Sequence, residues 1–124
     1  MKRLACIVLF CAAGCHKSVD AGSGIVFHTE ISPQPVRVGP AAIVVDLADS
    51  AGAPVRAANI VIEGVMSHAG MAPVLGQSKE SGPGRYRGHL TFSMAGDWTI
   101  LLHVTLADGT KLERQMGITR VRAN

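Results

Sequence analysis

The sequence predicts an all-β fold, an immunoglobulin-like antiparallel β-sandwich of about seven strands. Three observations carry that expectation. From Gly24 onward, short apolar runs repeat at every second residue, the period of a strand with one buried face. Between the runs lie turn signals, drawn from 14 Gly and 6 Pro in 124 residues. No window long enough for a helix combines a helical period with capping residues. A chain of this length has room for one core, so residues 24–124 read as one domain, without internal repeat or coiled-coil heptad.

Ahead of that domain, Met1-Lys2-Arg3 forms a short positive head, followed by an apolar stretch from Leu4 to Ala13 and by Gly14-Cys15. About ten apolar residues are too few to cross a bilayer as a helix, which takes ~20. They match the apolar part of a secretory signal. Ala12-Ala13-Gly14-Cys15 resembles a bacterial lipobox, with Ala12 where a large aliphatic residue is usual. Residues 1–14 are therefore expected to be a lipoprotein signal peptide. Cys15 would carry the lipid, and residues 15–23 would tether the domain to a membrane. The other reading is ordinary signal cleavage beside an unmodified Cys15. The expected location is the cell envelope, on a face turned to the periplasm or the exterior.

Loss of the signal changes what the composition means. Cys6 and Cys11 leave with it, so the folded domain has no thiol for a disulfide or a thiolate metal site. The formal charge of +3 falls to near +1 once Lys2 and Arg3 are gone. No other stretch clusters Lys or Arg with aromatics, so a nucleic-acid partner is not expected.

The strands follow in order. Ile25, Phe27, Thr29 and Ile31 alternate with Val26, His28 and Glu30 until Pro33 and Pro35 break the run. Residues 42–48 form a second strand, closed by Asp49-Ser50-Ala51-Gly52. Residues 58–66 form a third, with Ile60, Ile62, Gly64 and Met66 on one face. Residues 67–84, rich in Gly and Pro, are expected to be a loop, with Ser81-Gly82-Pro83-Gly84 a turn. Residues 85–94 alternate most clearly: Tyr86, Leu90 and Phe92 face one way, and Arg85, Arg87, His89, Thr91 and Ser93 the other. Ala95-Gly96-Asp97 then turns into residues 98–106, where Trp98, Ile100, Leu102, Val104 and Leu106 share a face. Trp98 reads as a core anchor, worth on the order of 3–5 kcal/mol by truncation. Asp108-Gly109 is a hairpin signal. The last strand, residues 110–121, carries Leu112, Arg114, Met116 and Ile118 in an imperfect alternation that predicts a bulge.

Catalysis is not expected. There is no nucleophile elbow, no phosphate-binding glycine loop opening a helix, and no pair of carboxylates close to a His in sequence. The unusual segment is Met66-Ser67-His68-Ala69-Gly70-Met71-Ala72-Pro73, which brings two thioethers and an imidazole together without a carboxylate. Thioether and imidazole match a soft cation such as Cu(I) rather than a hard one. Met94, at the end of a strand, is a fourth candidate, so the metal-ligating set is Met66, His68, Met71 and Met94. A second reading stays open, in which Met66 and Met94 lie on inward phases and simply fill the core. His28, His89 and His103 lie opposite the apolar stripes of their strands. They would form an exposed patch if those strands were neighbours, and isolated surface residues otherwise.

The order of short motifs resembles the YtkA-like domain, a small bacterial extracytoplasmic β-sandwich. After the lipobox come Val36-Arg37-Val38-Gly39-Pro40, Met66-Ser67-His68-Ala69-Gly70-Met71, Gly84-Arg85-Tyr86 and Phe92-Ser93-Met94-Ala95-Gly96-Asp97-Trp98. The resemblance spans residues 27–121. Similar domains occur alone as lipoproteins and beside adaptor modules of heavy-metal efflux systems, and FixH-like proteins of oxidase assembly are similar. The resemblance thus implies a lipid-anchored envelope protein with copper or metal handling. It also implies the alternative of a non-catalytic interaction module, docked on an envelope partner of oxidase assembly or metal efflux, with no metal site. His68 and Ala69-Gly70 stand here where a Met-Pro-x-Met form is frequent.

Overall fold

A computed structural model describes residues 18–19, 24–56, 58–68 and 70–124. The expected signal peptide, Cys15 and most of the tether lie outside the described residues. The described residues form eight antiparallel strands: β1 (Ser18–Val19), β2 (Val26–Ser32), β3 (Gly39–Ala48), β4 (Asn59–Met66), β5 (Val74–Gly82), β6 (Arg85–Phe92), β7 (Gly96–Thr105) and β8 (Lys111–Val121). They run in the order β1-β2-β3-β6-β5-β4-β7-β8, folded into two facing layers. The all-β sandwich predicted from the alternation is therefore the observed fold.

The period-2 rule holds strand by strand. In β3, Ala41, Ile43, Val45 and Leu47 are buried; in β4, Ile60 and Ile62; in β7, Trp98, Ile100, Leu102 and Val104. Tyr86, Gly88, Leu90 and Phe92 of β6 are buried, and Arg85, Arg87, His89 and Thr91 point to solvent. The Trp98 ring meets Phe92 edge-on, with centroids 5.2 Å apart at 81°, a favoured arrangement of aromatic quadrupoles. No side chain of the buried core is charged.

One strand departs from the expectation. Residues 74–82 were predicted to belong to a loop, yet they form β5, which joins the two layers. Its first half pairs with β4 (Val61↔Gln77 to Gly64↔Val74). Its second half pairs with β6 (Ser78↔Gly88 to Gly82↔Arg85). At the crossing the Ser78 hydroxyl donates to the Ile60 carbonyl at 2.9 Å. Backbones approach closely here: a Cβ on Gly76 would run into the His89 carbonyl oxygen. Such a strand carries no clean apolar stripe, because it changes layers halfway and leaves Leu75 65% exposed.

Among the described residues, backbone pairing joins the opposite flank only near one end. There residues 36–38 run parallel to the tail of β8: the Val38 amide donates to the Arg122 carbonyl at 2.8 Å, and the Arg122 amide to Val36 at 2.9 Å. The bulge expected in the last strand lies where the register shifts opposite Gly96 and Trp98. Arg120 adopts φ 61° there, and its amide donates to the Asp97 carboxylate at 2.8 Å. This extra residue turns Val121 inward, where it is buried.

Candidate functional site

Register fixes where the candidate ligands lie. β4 ends at Met66, opposite Trp98 near the start of β7. The loop holding His68 and Met71 leaves β4 there and returns as β5 opposite Gly64. Met94 lies in the short connection from β6 in one layer to β7 in the other. All four candidates therefore lie at one end of the sandwich, although they come from three connections and strand ends.

Their environments differ. Met66 is half-buried and packs against the core. A Cβ on Gly96 would come within 3.1 Å of the Met66 methyl, so the absence of a side chain at 96 makes room for the thioether. The Trp98 indole N–H donates to the Met94 carbonyl at 3.0 Å, tying the backbone of that connection to the core aromatic. The Met94 side chain itself is 43% exposed. The inward phase expected for Met94 is thus not observed, because β6 ends at Phe92 and its alternation does not run on through the crossover. His68 is exposed and Met71 half-buried. The end thus presents Met94 and His68 to solvent beside two partly covered thioethers. Residues 67–73 add no carboxylate to this end, so the donor set keeps its soft character.

The three outward histidines do not meet. His28 on β2 lies 3.2 Å from Glu30, and β3 separates β2 from His89 on β6. His103 is in the other layer, where neighbouring strands bring two carboxylates to it: Nε2 lies 2.7 Å from Glu63 and Nδ1 3.2 Å from Glu113. Sequence spacing gave no sign of this group, since its members are 40 and 10 residues from His103 and meet only through the β4-β7-β8 register. Both imidazole nitrogens thus face carboxylate oxygens. No group of three or more His, Cys, Asp or Glu suited to a metal ion occurs among the described residues.

No curated protein matches the chain. Among solved structures, the chain is similar to the PmoD soluble domain from Methylocystis sp. ATCC 49242 (Rockwell), at TM-score 0.56 and 12% identity. That match covers 86% of this chain and 97% of the other. Murine CRIg matches at TM-score 0.42 and 13% identity, over 78% of this chain and 98% of its own. At these identities the first likeness speaks to fold. The YtkA-like family profile matches residues 26–103, from the start of β2 through His103 on β7, and includes all four candidate ligands. The chain belongs to the YtkA-like family.

Proposed function

We propose that this YtkA-like domain is a lipid-anchored, extracytoplasmic lipoprotein that binds or passes on Cu(I) through Met66, His68, Met71 and Met94. The observation that supports the reading is the placement of three Met and one His at one end of the sandwich, two of them solvent-facing, with no carboxylate in residues 67–73 or 93–95. The residues fit a soft monovalent ion, which the thioethers and imidazole would hold without a charged oxygen ligand. An exposed pair beside a covered pair suits an ion that is taken up and handed on. The anchor is Cys15, held by the lipobox-like Ala12-Ala13-Gly14. No catalytic role is part of this reading.

The test is a Cu(I) titration of the protein against a chromogenic Cu(I) chelator, repeated with Met71→Ala and His68→Ala. Wild-type protein should withdraw one ion per chain, and each variant should lose affinity by about tenfold or more. Equal binding in all three proteins, or none in the wild type, would refute the copper reading. Cys15→Ser tests the anchor separately: the variant should partition into the soluble fraction of the producing cells.

A second reading draws on the exposed apolar side chains of Leu75 and Met94. As a non-catalytic module, the domain would use this surface as a soft contact with an envelope partner. Partner binding lost on Met94→Asp and unaffected by copper or its chelators would select this reading over the first.

A further inference from the structure

The flank opposite β5 leaves a groove of about 630 Å³ between β2 and β8. Ile31 and Thr29 line one side, Met116 and Ile118 the other, with Val36 beneath and Arg120 and Arg122 at one end. Among the described residues, β8 pairs with no strand besides β7 until its tail meets residues 36–38.

The hairpin sets which of its backbone groups are unpaired. Leu106 donates to the Thr110 carbonyl, so alternation along the ladder turns the backbone groups of Leu112, Arg114, Met116 and Ile118 toward β7. Those of Glu113, Gln115 and Gly117 therefore point away from the sheet, toward the open flank. The short parallel pairing of residues 36–38 at Arg122 shows that this edge takes an added strand, and it fills only the last part.

Two arginines, Arg120 and Arg122, line one end of the groove, with Arg37 next to its lining residue Val36 in the chain. Arg37, Arg120 and Arg122 are exposed, and their guanidinium groups form no ion pair among the described residues. The nearby carboxylate of Asp97 is engaged by the Arg120 amide. Glu113 marks the other end of the free edge.

We propose that this groove receives an extended peptide segment of a partner protein, which adds as a strand to the outer edge of β8 and sets a carboxylate against Arg120 and Arg122. Main-chain hydrogen bonds to the free edge supply the pairing, the apolar floor takes alternate side chains, and the arginines fix direction. The groove shares no residue with the Met66, His68, Met71 and Met94 set, although its arginine end lies across the start of β7 from Met66.

The probe is a fluorescein-labelled peptide of alternating valine and threonine ending in two glutamates, with a control ending in two lysines. Both are titrated onto the full protein by fluorescence anisotropy. The glutamate peptide should bind about tenfold or more tightly than the control, and the preference should shrink as salt rises. Arg120→Gln with Arg122→Gln should abolish the preference. Gly117→Pro removes an outward amide without touching the β7 ladder, and should weaken both peptides while the thermal midpoint shows the variant folded. Equal binding of the two peptides, no binding of either, or binding unchanged in Gly117→Pro would each overturn the proposal. Dimerisation of the protein alone that is lost in Gly117→Pro would assign the edge to a second copy and likewise overturn it.

Discussion

The Tyr86 hydroxyl donates a hydrogen bond of 2.7 Å to the Val55 carbonyl and accepts one of 3.2 Å from the Ala58 amide. A strand of one layer thereby holds the connection that carries the chain from β3 into the other layer. Tyr86→Phe keeps the ring in the core and removes both bonds, so stability should fall by about 1–2 kcal/mol. Urea unfolding near neutral pH measures it, and an unchanged midpoint would show that the connection needs no such tie.

The same phenol makes stability depend on alkaline pH. Burial raises its pKa above the ordinary 10.0; the Ala58 amide opposes this and the charge of Glu80 adds to it. The unfolded chain therefore releases the proton first. The associated stability is complete below about pH 10 and is lost as pH rises through the folded value. Between about pH 8 and pH 11 the wild type should lose more stability than Tyr86→Phe. Parallel pH profiles would contradict the assignment.

Gly76 pairs with Ile62 of β4, and the His89 backbone of β6 crowds it. A methyl group there would run into the His89 carbonyl, against backbone that cannot swing aside. Gly76→Ala should cost about 1–3 kcal/mol in chemical denaturation. A neutral result would mean that β5 can lift from β6 at no cost.

Met66 and Met94 should separate packing from binding. Met66→Ala opens space against the core and should lower stability by about 1–3 kcal/mol. Met94→Ala removes a side chain that is 43% exposed and should leave stability within about 0.5 kcal/mol. On the proposed function, both variants lose Cu(I) affinity in the chelator competition. A Met94→Ala protein that keeps full affinity would remove Met94 from the ligand set.

The Glu63–His103–Glu113 group is partly exposed, so each pair is worth little on its own. A double-mutant cycle with Glu63→Gln and His103→Gln should give a coupling of about 0.5–1 kcal/mol, reduced by salt. Coupling that is absent at low salt would leave the short contacts without energetic weight.

How far the sequence led depended on whether a residue's role was local. The alternation of Tyr86, Leu90 and Phe92, and that of Trp98 through Val104, reports burial directly, so β6 and β7 were readable residue by residue. β5 was not, since a strand shared by two layers has no single buried face and its glycines answer to neighbouring backbone. The Met and His residues of the candidate site were legible as a cluster because most lie in one short segment. The exposure of Met94 was not, because the phase of a strand says nothing beyond its last hydrogen bond. The carboxylates around His103 needed the register of three strands, which no local pattern encodes.

The strand shared by both layers also dictates how the molecule comes apart. With β5 hydrogen-bonded to β4 at one end and to β6 at the other, neither layer can melt while the other keeps its full ladder, and unfolding is expected as one cooperative event. Across the far flank, the described residues show the short pairing of residues 36–38 with Arg122 and the Arg114 guanidinium over the Phe27 ring, with no continuous ladder. Amide protons there should exchange through small local openings, while those at the centre of β5 exchange only when the whole protein unfolds. The domain thus opens as a book does, from the fore-edge, with β5 as its spine.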